Sequence, residues 1–197
     1  MTRIMLGMSV SLDGYVATTD GRVDWVFPNF DDEFTADTME LLTGLDTMLL
    51  GRGNYVEQSG AWAHATGPLA DIMNNAQKIV FSNTLETADW VNSRLATATP
   101  EEEIARLREQ GVENVGVAGG ARFAQYLSSR GLIDEYRLSV HPIALGAGLP
   151  LFTTTVPLRL IGSRTYATGL TTNRYVPASA PDLETVGAAR DRVHGAA

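Results

Sequence analysis

Short, continuously apolar runs alternate along the chain with longer segments in which apolar residues follow helical spacing. Runs such as residues 47–50 and 115–118 have the composition of strands that are covered on both faces. One helix start is especially clear, because Thr99 is an N-cap, Pro100 takes the first helical position and Glu102 completes a capping box. The pattern predicts strands at residues 4–11, 47–50, 78–82, 114–118, 135–141, 158–165 and 171–176, and helices at residues 31–45, 68–76, 100–110 and 122–129.

The alternation of strands and helices predicts an α/β fold with a mostly parallel central sheet, in which the last strands form an antiparallel edge. A chain of 197 residues suits one domain, which we assign to residues 1–177. The sequence after Pro177 is small, polar and poor in apolar residues. Residues 178–197 are therefore predicted to form a flexible tail.

The composition and charge of the chain disfavour several kinds of binding partner. The net charge of −8 argues against a nucleic-acid-binding protein, which needs a basic surface, and no apolar stretch is long enough to cross a membrane. Cysteine is absent, and His64 and His194 have no partners at metal-ligand spacing. We therefore expect a cytoplasmic protein that binds a small molecule and holds no metal.

Several predicted strands run directly into glycine or small polar residues, in the segments LLGRGN (49–54), VFSN (80–83) and VAGGAR (117–122). In an open α/β sheet, ligands bind at the carboxyl ends of the strands, where glycines let the backbone approach a phosphate. Gly119-Gly120 is a candidate pyrophosphate cradle, and Arg52 is a candidate clamp for a terminal or 2′-phosphate. Ser82 and Asn83 are candidate hydrogen-bonding partners. Taken singly, each glycine is more simply a tight turn between a strand and a helix.

These motifs together resemble the dihydrofolate reductase-like superfamily, particularly the reductase domain of the bacterial riboflavin-pathway deaminase-reductases and their stand-alone relatives. The resemblance covers roughly residues 3–176. It implies a three-layer α/β/α fold that binds NADPH in an extended form. The segments that carry it are SLDGYVA (11–17), LLGRGNY (49–55), KIVFSNTL (78–85), VAGGARFAQYL (117–127) and LIDEYRLSVHPIALGAGLPLF (132–152).

The resemblance also assigns the cofactor side of the site. It implies a cis peptide bond between Gly119 and Gly120, and it brings Val16 and Ala17 beside the nicotinamide. Asn54 departs from the threonine that is usual in the family. The residues implied along the adenosine and the phosphates are Gly51, Arg52, Gly53, Asn54, Ala121, Arg122 and Phe123.

The substrate side departs from folate recognition. Dihydrofolate reductases hold the pterin with a carboxylate and a threonine, and counting without gaps gives Thr35 and Val140 at those two positions. Asp13 is a candidate substrate contact and proton donor, although Asp-Gly also commonly makes a turn. The candidate substrate-binding residues, each of a type that is more often structural, are Trp25, Tyr55 and His141.

We therefore expect an NADPH-dependent reductase that transfers a hydride to a C=N or C=O group of a small pterin-like or ribosylaminopyrimidine-like substrate. The guanidinium of Arg52 favours NADPH over NADH. A genuine pterin reductase whose carboxylate is shifted by one helical turn stays open, and so does a degenerate member that binds nucleotide without turnover. The edge at residues 158–176 leaves a homodimer open as well. The shifted carboxylates would be Asp31, Asp32 or Glu33.

Overall fold

A computed structural model describes residues 1–179 and 192–193 of the chain. Most of the predicted tail at residues 178–197 lies outside the described residues, so the tail stays a prediction. Across the part that is described, no helix is long and apolar enough to cross a membrane. The helices are a 3₁₀ helix (Asp24–Asn29), α1 (Asp32–Thr43), α2 (Arg52–Trp62), α3 (Pro68–Asn75), α4 (Pro100–Glu109) and α5 (Ala121–Ser129). The strands are β1 (Arg3–Ser11), β2 (Tyr15–Ala17), β3 (Thr47–Gly51), β4 (Gln77–Phe81), β5 (Ser93–Leu95), β6 (Asn114–Ala118), β7 (Glu135–His141), β8 (Leu149–Pro150), β9 (Leu158–Thr165) and β10 (Thr171–Pro177).

The central sheet has eight strands in the order β5-β4-β3-β6-β1-β7-β10-β9. The six strands from β5 to β7 in this order run parallel, whereas β10 and β9 add antiparallel at one edge. A second, two-stranded sheet pairs β2 with β8. The structure thus confirms the mostly parallel sheet and its antiparallel C-terminal edge.

Helices cover both faces of the sheet and complete the three predicted layers. Strand β3 shows the division, because Leu49 packs in the cluster that holds Leu127 of α5, while Met48 and Leu50 pack in the cluster that holds Met73 of α3. Each of these buried side chains stabilises the fold by about 1.5–3 kcal/mol. Connections between parallel strands are right-handed, so the direction in which the chain moves along the sheet decides which face a connecting helix covers. The chain moves from β1 through β3 to β4 by way of α1, α2 and α3, and in the opposite direction from β5 through β6 to β7 by way of α4 and α5. The two groups of helices therefore lie on opposite faces of the sheet.

The sequence prediction misses α2, the helix that follows β3. Gly53 and Gly60 lie inside α2, and glycine disfavours helix interiors by about 1 kcal/mol relative to alanine. Burial of Tyr55 against Trp90 and the second core cluster stabilises this helix in place of a strong helical pattern. The predicted start of α4 is confirmed, with Thr99 and Glu102 forming the capping box.

The next residue of α4, Glu103, ties this helix to strand β5. Its fully buried carboxylate accepts two hydrogen bonds from Arg94, at 2.6 and 3.1 Å, and one from the backbone N–H of Thr97 at 2.9 Å. The hydrogen bonds from Arg94 contribute most to lowering the pKa of Glu103 to about 2. The ionised carboxylate therefore stabilises the folded state at neutral pH.

Replacement of Glu103 by glutamine is expected to lower the free energy of unfolding at pH 7 by about 2–3 kcal/mol. The folded pKa is lower than the unfolded one, so this stabilisation is present above about pH 4.5 and is lost as the pH falls towards 2. Urea unfolding at pH 7 and at pH 3 measures the difference, with the exposed Glu109→Gln variant as control. Equal effects of the Glu103→Gln substitution at both pH values would contradict the assignment.

Candidate functional site

A crevice lies between the carboxyl ends of β3 and β6, which are neighbours in the sheet. The helix that follows β3 covers one face of the sheet, and the helix that follows β6 covers the other. Neighbouring strands whose helices lie on opposite faces mark the point where open α/β sheets bind ligands. We call this place the β3–β6 crevice, and residues 51–54 and 119–123 form its two sides.

Both helices that begin at the crevice have glycine as N-cap, Gly51 for α2 and Gly120 for α5. Neither N-cap supplies a side-chain hydrogen bond, so the first backbone N–H groups of both helices stay available to a ligand. Arg52 and Arg122 are exposed in the first turns and make no ion pair among the described residues. Free N–H groups, two helix dipoles and two guanidinium groups make the crevice suited to an anion.

The two sides of the crevice are packed closely together. Gly119 and Gly120 both have left-handed backbone, with φ of 74° and 80°, and a side chain at Gly119 would meet the Asn54 amide nitrogen at 2.6 Å. The expected cis bond between these glycines is wrong, because every peptide bond described is trans. Two successive left-handed residues turn the chain from β6 into α5 without it.

Asn54 itself is a polar residue in a buried place. Its side chain packs against the two glycines, and its Oδ1 atom is buried without a hydrogen-bond partner among the described residues. A buried carbonyl oxygen without a partner costs about 1–3 kcal/mol, so this atom calls for a donor from outside the protein. Asn54 thus places a polar group inside the crevice.

The remaining predicted cofactor residues lie around the crevice in different settings. Ser82 follows β4 and accepts hydrogen bonds from the backbone N–H groups of Thr84 and Leu85, so its hydroxyl already supports its own loop. Asn83 is exposed beside it. Phe123 lies in the first turn of α5, and its ring stacks on Phe81 with ring centroids 4.9 Å apart.

From the crevice, a cleft of about 1050 Å³ extends across the sheet towards β10 and β9. Its volume is at the upper end of the range for small-molecule sites. The floor consists of alternate residues of the central strands, most of which are small or polar, although Met5 of β1 is also among them. Residues of α1 line the cleft above this floor. The floor residues used below are Gly7 and Ser9 of β1, Ser139 of β7 and Thr172 of β10.

Strands β2 and β8 form one wall of the cleft and bring Val16 and Ala17, both buried, to its edge. A side chain at Gly148 would collide with the Ala17 carbonyl oxygen, so glycine is required for the two segments to approach. Asp13 secures the same wall, because its carboxylate accepts hydrogen bonds from the backbone N–H groups of Leu145 and Gly146 at 3.1 and 2.8 Å.

The setting of Asp13 bears on its predicted role as proton donor. The hydrogen bond from the Ser11 hydroxyl, helped by those from the loop at residues 145–146, lowers the pKa of Asp13. An ionised carboxylate that already accepts several hydrogen bonds has no proton to give at neutral pH. The geometry therefore favours a positioning role, in which Asp13 holds the loop that supports β8.

Aromatic residues stand beside the cleft next to a buried histidine. His141 is fully buried, contacts the Ser9 hydroxyl at 3.1 Å and packs edge-on against Trp25. Burial lowers the pKa of His141 to about 4, so the ring is neutral at pH 7. His141 therefore reaches the cleft through Ser9, and Trp25 covers it, while Phe30 and Phe34 line the cleft directly.

The third predicted substrate residue, Tyr55, is wrong as a wall of the site. Its side chain, on the buried side of α2, packs in the second core cluster. Its hydroxyl accepts a hydrogen bond from the Trp90 backbone N–H at 3.0 Å. Tyr55 follows the glycine-rich end of β3 in the sequence, but its ring contacts Trp90 in that cluster. Trp62, at the other end of α2, does line the cleft.

Neither position counted for folate recognition faces the cleft. Thr35 is exposed on α1, and Val140 packs on the opposite face of the sheet. Two carboxylates of α1 line the cleft, Asp37 and Glu40, and sequence counting missed both because it allowed only a shift towards the helix start. Asp37 accepts a hydrogen bond from the Tyr166 hydroxyl at 2.7 Å and pairs with Arg164 at 2.6 Å.

Two glycine substitutions separate backbone strain from crowding in the crevice. Gly119→Ala and Gly131→Ala both introduce a side chain at left-handed φ, which costs about 1 kcal/mol, but only residue 119 has a neighbour within 4 Å. We expect Gly119→Ala to lose at least about 1 kcal/mol more stability in urea unfolding, because Asn54 must move. Equal losses of stability for the two variants would show that the crevice accommodates a side chain at residue 119, and would contradict the close packing.

Comparison with known proteins finds relatives both by sequence and by fold. The chain is 30% identical over 181 residues to the uncharacterized protein YyaP of Bacillus subtilis (strain 168), a match that covers 85% of this chain and 91% of YyaP. Among solved structures, a protein of Shewanella sp. PV-4 whose name connects it with riboflavin biosynthesis has 25% identity and a TM-score of 0.71, covering 90% of this chain and all of that one.

A bifunctional Thermotoga maritima protein shares the fold at 17% identity and a TM-score of 0.66. It is named a diaminohydroxyphosphoribosylaminopyrimidine deaminase and 5-amino-6-(5-phosphoribosylamino)uracil reductase, and the match covers 57% of its length and 90% of this chain. The family model of the RibD C-terminal domain matches residues 2–172. The chain therefore belongs to the RibD C-terminal domain family, as the sequence resemblance predicted.

Proposed function

We propose that this protein is an NADPH-dependent reductase that transfers a hydride to a C=N or C=O group of a small heterocyclic substrate. The observation that carries the proposal is the meeting of two uncapped helix N-termini, α2 and α5, at the β3–β6 crevice. Membership of a family with riboflavin-pathway reductases among its relatives supports an oxidoreductase of the pyrimidine reductase type.

The residues of the crevice fit a dinucleotide. Backbone N–H groups at residues 52–54 and 121–123 would bind the pyrophosphate, and Arg52 would bind the 2′-phosphate that distinguishes NADPH from NADH. The unpaired Asn54 oxygen would accept a hydrogen bond from the bound nucleotide. When bound, NADPH supplies the hydride. Val16 and Ala17 give its reactive end an apolar, water-poor edge at the β2 wall.

The protein's own contribution to the reaction would be positioning. Ser9, Ser139 and Thr172 offer hydroxyl groups on the floor, and Phe30 and Phe34 offer aromatic surface on which a flat heterocycle packs. Neutral His141 orients the Ser9 hydroxyl. With Asp13 ionised and His141 buried, the proton that completes the reduction would come from water.

The pterin alternative would use an α1 carboxylate at the cleft, either Asp37 or Glu40. Arg164 and Tyr166 already engage both the charge and the hydrogen-bonding capacity of Asp37, so a pterin would have to displace them there. The pairing of Asp37 therefore disfavours a pterin at that carboxylate, while Glu40 is exposed and makes no ion pair among the described residues.

Binding of NADPH tests the cofactor half of the proposal. Titration should quench tryptophan fluorescence at submillimolar cofactor, since Trp62 lines the cleft and Trp25 packs on His141 beside it. Arg52→Ala is expected to weaken NADPH binding about tenfold or more and NADH binding by less than about threefold, because only NADPH carries the 2′-phosphate. Arg108→Ala on α4 is the charge-matched control. No binding below millimolar NADPH would refute the cofactor assignment.

Turnover tests the reductase half. With saturating NADPH, absorbance at the nicotinamide band should fall when pterins, ribosylaminopyrimidines or small carbonyl compounds are added in turn. Oxidation with dihydrofolate alone would favour the pterin reductase. Binding of NADPH without oxidation across the whole panel would favour a member of the family that has lost turnover.

We also propose that two copies associate along β9, which is the strand at one edge of the sheet. Leu160 and Ile161 are exposed on this strand, and its backbone edge has no neighbour among the described residues. Sedimentation of the wild-type chain should give twice the mass of 21.2 kDa, and Ile161→Lys should give one chain. A wild-type protein that sediments as a monomer would end this part of the proposal.

A further inference from the structure

One arm of the cleft lies between α1 and α2, on the β3 side of the sheet. Each of the two helices lines it with residues spaced about one turn apart, so each presents a single face to it. We call this arm the α1–α2 lobe. Its lining residues are Thr38, Leu41, Leu42 and Leu45 of α1, Asn54, Glu57, Gln58 and Trp62 of α2, and Leu69 and Met73 of α3.

Helix α1 is attached to the sheet on both sides of the segment that lines the lobe. In its first half, Asp37 accepts a hydrogen bond from the Tyr166 hydroxyl at 2.7 Å. Beyond its end, Leu45 packs so closely on Gly116 of β6 that a side chain at residue 116 would collide with it. Leu41, between these attachments, remains partly exposed. Because α1 is held at both attachments, the apolar surface of Leu41 is better covered by a ligand than by a movement of the helix.

The opposite wall of the lobe is a tryptophan held in one orientation. Trp62 donates a hydrogen bond from Nε1 to Gln58 Oε1 at 2.7 Å, and its carbonyl oxygen accepts one from the Asn74 amide at 3.1 Å. Asn74 is held in turn by the indole N–H of Trp90 at 2.6 Å. The indole of Trp62 therefore offers a preorganised aromatic surface that faces the leucines of α1.

The charges around the lobe are negative. Glu57 is exposed and makes no ion pair among the described residues, and no residue in the lining of the lobe is basic. Helix α1 carries four carboxylates and no basic residue, and Arg164 pairs with only two of them. The arginine of α2, Arg52, lies at the crevice end of that helix. The field in the lobe thus favours a positively charged end group over an anionic one.

The lobe is separate from the crevice but within reach of the cleft floor. Trp62 lies ten residues after Arg52 on α2, which is about 15 Å along the helix axis. Ser139 on β7 is two strands away from β6, a distance of about 10 Å across the sheet. Gly7 of β1 and Ala118 of β6 line the cleft between them and have little or no side chain to block the path. A molecule over the hydroxyl floor can therefore extend a substituent into the lobe.

We infer that the α1–α2 lobe binds an apolar substituent of the substrate that ends in an amine. The apolar part packs between Leu41 and Trp62, and the ammonium group lies at the acidic mouth beside Glu57. A substituent that ends in a carboxylate or a phosphate is disfavoured there. This inference rests on the proposed reductase only in calling the ligand a substrate, because binding in the lobe requires neither the cofactor nor turnover.

Calorimetric titration of the full chain, saturated with NADPH, tests the lobe with three probes that share one skeleton and differ in charge: phenylbutylamine, phenylbutanol and phenylbutanoate. Methionine methyl groups labelled with ¹³C locate the probe, since Met73 lines the lobe and Met5 lines the floor. The apolar variant is Leu41→Gln, with Val56→Gln on the exposed side of α2 as its control. The charge variant is Glu57→Gln, with the exposed Glu109→Gln of α4 as its control.

We expect the amine to bind at least about tenfold more tightly than the carboxylate, with the alcohol between them, and to shift Met73 more than Met5. Leu41→Gln should weaken all three probes about fivefold, because it removes apolar contact surface. Glu57→Gln should weaken the amine about threefold and leave the alcohol unchanged. Neither control should change the affinities, and all variants should bind NADPH within about twofold of the wild type.

Because Glu57 is exposed, its variant keeps the test decisive even if circular dichroism shows that Leu41→Gln does not fold. Absence of amine binding to the wild type overturns the inference. So does any other order of the three probes, a larger shift at Met5 than at Met73, or an equal effect of Glu57→Gln and Glu109→Gln on the amine.

If NADPH does not bind the wild type, the same titrations are run without cofactor. The expected order of the probes, with the largest shift at Met73, then sustains the lobe as an amine site while the proposed reductase fails. Binding of NADPH without binding of the amine instead sustains the proposed cofactor site and overturns the lobe.

Discussion

The first N–H groups of an α-helix have no partners inside the helix, and in this chain two helices direct theirs to one place. Strand order causes the convergence, because β3 and β6 are neighbours while their following helices lie on opposite faces of the sheet. Glycine as N-cap of both helices removes the side chains that would otherwise occupy these donors. The close packing of Asn54 on Gly119, the wall built by β2 and β8, and the path of the cleft all lie around this crevice.

Charge is distributed along the cleft in a way that suits an acidic protein with an anionic ligand. Positive groups lie at the two ends, in the helix N-termini and in the side chains of Arg137 and Arg174, whereas the middle of the floor offers neutral hydroxyl groups. Two ionisable groups near the middle are already accounted for by the protein. Burial keeps His141 neutral at pH 7, and Asp37 is paired with Arg164. The site is thus arranged to orient ligands more than to donate protons.

The sequence predicted the fold closely, because its elements depend on local patterns, and the glycines that it singled out do lie at the β3–β6 crevice. Apolar runs ending in glycine indicated the bounds of β3 and β6, and the capping box at Thr99 indicated the start of α4. The missed helix α2 depends on the burial of Tyr55, which is a tertiary effect and leaves no helical pattern in a segment that contains Gly53 and Gly60.

The proposed substrate side was harder to predict, because its residues are adjacent only in the folded sheet. Ser9, Ser139 and Thr172 are far apart in the sequence. They lie side by side only because β1, β7 and β10 are neighbours and pair in this register. The left-handed turn at Gly119 and Gly120 likewise replaces a cis bond that resemblance alone implied. The alternation of polar and apolar residues in β7 held a usable signal, since Arg137 and Ser139 share the face that α4 and α5 do not cover.

The central claim is that backbone N–H groups of two helices in the β3–β6 crevice bind the cofactor's phosphates. Amide chemical shifts of the ¹⁵N-labelled protein during NADPH titration measure this directly. We expect the largest changes at residues 52–54 and 120–123, with smaller changes at Val16 and Ala17 on the neighbouring wall. Changes centred on β7 and β10, or spread evenly over the surface, would contradict the claim.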